Sequence, residues 1–251
     1  MSWRSLRGLV PVAVLLGIWQ LVGNPNSATA PAPSSWWSAF RTIERSGAFW
    51  PAFEKTMLLF AEGLVVATIL GVLLGIALGS SRHVSQALGP LLEFLRATPA
   101  AALVPGAILL FHANARTDIG MVVYGSIWPV MLNTAAARAA LPPLRLDVAH
   151  ALRLSHWDRM RKIVLPSLLP EIVVGVRVAA PICLIITLLV DFLLSTGGIG
   201  YLEVQYEQTF VAANAFAMLA VIGILGILIN LVLGSAERLV LYRWPVGGRG
   251  R

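Results

Sequence analysis

Charge is what this chain of 251 residues has least of. Asp, Glu, Lys and Arg make up 12% of it, about half the share of a typical soluble domain. A water-soluble globule of this length needs more polar surface than that, so a soluble fold is excluded. The single cysteine, Cys183, excludes a disulfide framework and a thiolate metal cluster. His83, His112, His150 and His156 have no metal-ligand spacing, and no G-x-x-x-x-G-K-[ST] phosphate loop is present. The chain is therefore not itself an ATPase, and no catalytic constellation, metal or cofactor is expected on it. The Gly197-Gly198-Ile199-Gly200 stretch suits a turn or pathway element better than a phosphate cradle. No solenoid or propeller period runs through the sequence.

What is abundant is apolar: 57% of residues, with a mean hydropathy of +0.79. A spanning helix needs about 20 mostly apolar residues. Six stretches qualify: Leu6–Val22, Thr56–Gly79, Leu88–Phe111, Ile119–Ala137, Pro170–Leu194 and Val211–Ala236. The expected architecture is an all-α integral membrane protein with six transmembrane helices. Residues 1–55 read as a first span plus interfacial segment, and residues 56–251 as a core of five spans. Within the third span Pro90, Pro99 and Pro105 each remove a backbone donor. That predicts a kinked or broken helix whose freed carbonyls face protein or a cavity rather than lipid.

The net charge of +7 is a record of orientation. Arg41, Arg45, Lys55 and Arg116 fall on one side of the six spans, while Arg96 and Arg177 lie within spans. The other thirteen cations, from Arg4, Arg7 and Arg82 through the loop between spans four and five to Arg238, Arg243, Arg249 and Arg251, share the opposite side. The richer side is expected to be cytoplasmic, with both termini there, in the plasma or inner membrane. A basic chain of this kind needs no nucleic acid partner. Two arginines, an apolar run and Ala28-Thr29-Ala30 also fit a cleaved signal peptide. Pro31 and the following Ser/Trp segment favour a membrane-surface connection instead. Pro33 to Trp50 reads as an interfacial helix, with Trp36, Trp37, Phe40 and Trp50 at headgroup depth and Arg41, Glu44 and Arg45 in water.

In the second span Gly63, Ala67, Gly71, Gly75 and Gly79 recur every four residues. Such a stripe lets helix backbones approach closely, a packing role rather than a substrate role. The loop at 139–169 is basic yet periodic. Pro142 and Pro143 start it; Leu146, Ala149 and Leu152 with Leu154 form one side of a short helix. Trp157, Met160 and Val164 continue a second helix, which Pro166 is expected to close. An amphipathic helical loop of this kind suggests a surface that docks another protein.

These residues resemble the "EAA" loop in permease subunits of binding-protein-dependent type I ABC importers. Asp147-Val148-Ala149 stands at the E-A-A position and Ile163-Val164-Leu165-Pro166 at I-x-L-P. The likeness runs over most of the chain and is greatest to the nitrate, sulfonate and taurine branch. Pro90 to Arg96 with Thr98-Pro99, Asn133-Thr134, Gly175-Val176-Arg177, Gly198 to Leu202, Glu237-Arg238 and Arg243-Trp244 fit that branch in order and spacing. Asp147, Val148 and Arg153 depart from the family's Glu, Ala and Gly, and Leu59 and Leu73 replace an Arg and a Pro. Gly reaches positive φ cheaply and Arg does not, so either the turn at Arg153 is ordinary or docking differs. The departures are consistent with pairing to a second, less divergent permease.

The resemblance implies a coupling helix in the loop that carries ATPase closure to the spans. Its contacts would be Asp147, Ala149, Ala151, Arg153, Leu154, Ser155 and Trp157, while Arg159, Arg161 and Lys162 fix topology on anionic headgroups. The implied partners are an ABC ATPase dimer carrying ATP and Mg, a second permease subunit, an extracytoplasmic solute-binding protein and the lipid membrane. The implied cargo is a small solute of the nitrate, sulfonate or taurine kind. A pathway would pass Thr98, Pro105, His112, Asn133, Thr187 and Asp191. Asp191 sits at an acidic position of the family; a gate role and a structural ion pair or exposed helix end stand as alternatives. Arg96 and Arg177 are placed to snorkel. An ion-gradient-driven carrier, using Asp191 or Glu62 as a proton site, and a non-transporting scaffold are the competing readings.

Overall fold

The computed structural model describes residues 10–25, 27, 29–194 and 197–243, with backbone alone at Leu241 and Arg243. Arg4, Arg7, Ala28, Trp244, Arg249 and Arg251, named above, lie outside the described residues. Every regular element among those described is helical: α1 Val10–Val22, α2 Ser34–Arg45, α3 Phe49–Ser80, α4 Arg82–Ala97, α5 Ala100–Phe111, α6 Ala115–Ala139, α7 Pro143–Ala151, α8 His156–Arg159, a π-turn at Met160–Val164, α9 Leu165–Leu194, α10 Ile199–Gln208 and α11 Ala212–Arg243. Four helices are long and apolar enough to cross a membrane: Phe49–Ser80, Ala115–Ala139, His156–Leu194 and Ala212–Val240. The pair α4–α5, bent by 91°, supplies a fifth crossing if counted as one. Among the described residues α1 is apolar but, at 13 residues, shorter than a crossing requires.

The bend falls at Thr98-Pro99, where Pro99 cannot donate to the carbonyl of Leu95 four residues earlier. That carbonyl accepts instead from the Thr98 N–H at 3.2 Å and from Tyr124 Oη of α6 at 2.5 Å. The break expected in the third span is thus present, and the freed acceptor faces protein. Pro90 and Pro105 stay inside their helices.

The chain forms two compact units. The first joins Met1–Met57 to Asp191–Leu225. In it Trp19 of α1 meets Trp36 of α2 edge-on at 5.3 Å and Phe216 of α11 at 5.1 Å, while Trp36 stacks on Phe216 at 5.8 Å. Gln20 closes this corner by accepting from the Ser34 backbone N–H at 2.9 Å. The interfacial helix is shorter than the sequence predicts. It ends at Arg45, because Gly47 takes φ +78° and turns the chain, so Trp50 belongs to the first turn of α3.

The second unit joins Leu58–Val190 to Gly226–Arg251. The small-residue stripe of α3 lies directly on α6. A Cβ at Gly75 would stand 2.6 Å from the Met131 carbonyl oxygen and from Thr134 Cβ, and Gly63, Gly71 and Gly79 meet Val122, Val130 and Ala135 in the same way. A core of Leu141, Val164, Leu168 and Ile172, flanked by Val72, Ile76, Leu146 and Met160, seats the basic loop on α3 and α9. The second loop helix is not closed by Pro166. It runs on through the π-turn, where Leu165 N–H bonds Met160 O, into one helix of 39 residues from His156 to Leu194. The wider π register falls just where proline would otherwise interrupt the ladder.

Gly75→Ala should lower stability by about 1–3 kcal/mol, since the methyl meets a backbone carbonyl. Gly223→Ala on α11, where nothing lies within 4 Å, should be neutral or mildly stabilising. Thermal unfolding of the detergent-solubilised chain separates the two.

Candidate functional site

The basic loop is built by two unlike helix ends. Pro142 precedes and Pro143 opens α7, where a missing N–H costs nothing. At its other end Arg153 N–H bonds His150 O at 2.9 Å and Leu154 N–H bonds Ala149 O at 3.0 Å. Those two bonds are a Schellman motif, and Arg153 holds its left-handed position with φ +49°. The turn is therefore the tight one that glycine makes cheaply, kept here with an arginine. Ser155 then caps α8, accepting from Asp158 N–H at 3.1 Å and donating to Asp158 Oδ2 at 2.9 Å. Lys162 pairs with Asp158 at 2.8 Å. Lys162, then Ser155, hold the Asp158 carboxyl below its ordinary range. Arg159 donates to His150 Nε2 at 2.8 Å and to His156 Nδ1 at 3.0 Å, fastening α8 to α7.

One face of this loop is sealed and the other open. Ala149 is fully buried and seats α7 on the protein. Leu146 is half-buried beside it. Leu152, expected on that inner side, is instead 65% exposed; its N–H bonds Val148 O at 3.0 Å, which aligns it with Val148 and not with Ala149. Leu144, Val148 and Leu152, spaced four apart, form an exposed apolar row, with Trp157 71% exposed nearby in sequence. Asp147, Ala151, Arg153 and Ser155 are exposed and Leu154 is half-buried. Sequence reasoning missed Leu144, Val148 and Leu152; their four-residue spacing was the available signal.

The expected pathway residues can be placed one by one. Thr98 and His112 sit at opposite ends of α5, roughly 20 Å apart by helical rise. Thr98 Oγ1 bonds Phe94 O at 3.0 Å, Asn133 Nδ2 bonds Pro129 O at 2.8 Å, and buried Thr187 bonds Cys183 O at 2.8 Å. Each of these polar groups is engaged by its own helix backbone. His112 is exposed at φ +64°, with its carbonyl accepting from Thr117 Oγ1 at 2.8 Å, and Pro105 is exposed. The second unit does hold a cavity of about 730 Å³ between α5 and α6, with Asn114, Arg116, Thr117 and Tyr124 as its polar lining and Leu103, Phe111 and Met121 among the apolar.

Asp191, in the first unit, is not water-exposed. It is 1% exposed and accepts from Thr56 Oγ1 at 2.5 Å. Thr56 accepts in turn from Ile199 N–H at 2.8 Å, the first amide of α10. Gly198 lies so close over the Asp191 carboxylate that a Cβ would overlap both oxygens, and Gly197 turns at φ +83°. The glycine-rich segment is thus a lid of bare backbone on a buried carboxylate. On α10 itself, burial and then Glu207 push the Glu203 carboxyl up, and burial pushes the Tyr206 phenol up. Arg177 forms an ion pair with Glu237, joining two segments whose motifs the sequence pairs with one family. Glu62 and Glu93 are exposed.

Comparison with known proteins places these observations. Residues 67–243 match the family described as "Binding-protein-dependent transport system inner membrane component". The bicarbonate transport system permease protein CmpB of Synechococcus elongatus is 30% identical over 96% of this chain and 92% of its own length. The nitrate import permease protein NrtB of Leptolyngbya laminosa is 31% identical over 94% and 90%. The putative aliphatic sulfonates transport permease protein SsuC of Bacillus subtilis is 26% identical over 95% and 87%. Among solved structures, a chain of the MetNI methionine ABC transporter in an inward-facing conformation aligns with a TM-score of 0.66 at 15% identity, over 78% of this chain and 98% of that one.

Arg153→Gly should stabilise the loop by about 1 kcal/mol, by removing the left-handed strain of a residue with a Cβ. Slower hydrogen exchange at Leu152 to Leu154 reads it, and unchanged exchange contradicts it. Thr56→Val should cost about 1–3 kcal/mol by leaving a buried carboxylate and amide short of a partner, while Thr56→Ser retains stability in the same thermal assay.

Proposed function

The chain belongs to the binding-protein-dependent transport system inner membrane components, and on that premise we propose how it works within such a system. It is the transmembrane permease subunit of an ABC importer. In our reading it contributes six spans, α1 belonging to the first, and forms half of the translocation pathway beside a second permease. Its thirteen-to-four division of cations supports both termini and the basic loop lying in the cytoplasm. An ATPase dimer carrying ATP and Mg docks on that loop, and a solute-binding protein delivers cargo from the other side.

The observation that carries this reading is the exposed apolar row Leu144, Val148 and Leu152 with Trp157. Leu144, Val148 and Leu152 lie outside the helices long and apolar enough to cross a membrane, and Trp157 stands in the first turn of the helix His156–Leu194. Asp147, Ala151, Arg153 and Ser155 form the polar surround of the same surface, with Leu154 behind it. The continuous helix His156–Leu194 makes a rigid lever: a displacement of the docked loop is delivered along the whole span. Small inorganic or organic anions are the cargo class we favour. Support comes from the bicarbonate, nitrate and sulfonate named for the relatives, and from Arg116, Asn114, Thr117 and Tyr124 on the α5–α6 cavity.

Uptake measured in proteoliposomes holding the permease, ATPase and solute-binding subunits tests the proposal. Uptake should require the ATPase and ATP. Trp157→Ala with Leu152→Ser should weaken ATPase retention by about 2–4 kcal/mol, as loss of central apolar anchors does, and reduce uptake in proportion. Uptake that persists unchanged without the ATPase would identify a carrier driven by an ion gradient.

A further inference from the structure

An apolar groove of about 380 Å³ lies in the first unit, between α2 and α11. Trp36, Trp37 and Phe40 form one wall, Phe49 an end, and Ala217, Ala220, Val221 and Ile224 the other wall. The α11 wall belongs to a segment apolar enough to cross a membrane, so the groove opens to hydrocarbon. Trp37 and Ile224 are 67% and 57% exposed, leaving it open. At the α2 end the character changes. The Arg41 guanidinium stands 5.8 Å over the Trp37 ring, and Arg45 on the same helix is exposed. Glu44 is the competing carboxylate, 3.8 Å from Arg41 and half-exposed. That long contact leaves most of the five guanidinium donors free.

We propose that this groove is a binding site for one anionic phospholipid, with an acyl chain along Trp36, Phe40 and Ala220 and the phosphate held by Arg41 and Arg45. Aromatic side chains at the membrane interface are amphipathic and suit the junction of chain and headgroup. An arginine stacked on tryptophan keeps its charge directed at that junction, and its planar fork matches a phosphate. Ala217 and Ala220 leave the room on α11 that a larger side chain would fill. The occupant would complete the corner where the aromatic cluster Trp19, Trp36 and Phe216 joins α1, α2 and α11. The inference rests on the chain crossing a membrane and not on what it transports.

Native mass spectrometry of the full purified chain, after incubation with equal phosphatidylglycerol and phosphatidylcholine, is the test. One phosphatidylglycerol should be retained, with a preference of about fivefold for each arginine engaged. Ala220→Phe should remove retention of either lipid. Arg41→Gln with Arg45→Gln, which touches only exposed side chains, should keep retention and abolish the preference. Equal retention of the two lipids by the unaltered chain would overturn the proposal. So would a preference unmoved by the arginine changes, or a lipid-free dimer lost with Ala220→Phe. ATP-driven uptake can fail or succeed independently of all these readings.

Discussion

Hydrocarbon offers a backbone amide or carbonyl no partner, and each one left unpaired there costs several kcal/mol. That constraint shapes the chain more than any single contact. It makes every crossing helical, and it turns each intramembrane proline into a demand on a neighbour. Pro99 frees Leu95 O and Tyr124 answers; the neighbouring cavity opens beside the same tyrosine. Near Pro166 the helix answers within itself by widening to a π register. At the other end of α9 the same rule takes an electrostatic form. The buried Asp191 carboxylate accepts from Thr56, and bare glycine backbone covers it.

Close approach is the second consequence. Lipid gives helices no hydrophobic reason to associate, so contact area must come from steric fit. The glycines of α3 let α6 approach until only hydrogen fits between them. The interface so made is intolerant of a single methyl group. The loop, outside that constraint, is held by different means: a capped start, a Schellman turn and the Arg159–histidine contacts.

How far the sequence revealed this depended on the range of the interaction involved. The glycine period, the broken third span and the loop's helical character are local patterns, and they read directly. Where elements end was less legible. Gly47 cuts α2 short of Trp50, and the helix passes Pro166 without stopping, because the outcome depends on a φ angle and on a change of hydrogen-bond register. The pathway reading rests on depth and polarity, and three of its six residues, Thr98, Asn133 and Thr187, bond carbonyls of their own helix. The sequence leaves Asp191 open to a gate, a structural ion pair or an exposed helix end. Its hydroxyl partner, Thr56, lies 135 residues away, and no local pattern announces such a pair. Leu152 falls in line with the exposed Leu144 and Val148 and not beside the buried Ala149, a distinction that a broad helical face does not make.

The π-turn at Met160–Val164 sets an angle as well as bridging a proline. A π-turn accommodates one residue beyond the α repeat, and one residue is about 100° of helix rotation. The azimuth at which Trp157 points is thereby decoupled from the buried face of α9, though both ride on one rigid rod. Relatives that gain or lose a residue there would present the same span to the bilayer and a different face to whatever docks beneath. A single insertion thus offers evolution a way to change partner geometry without repacking the membrane core.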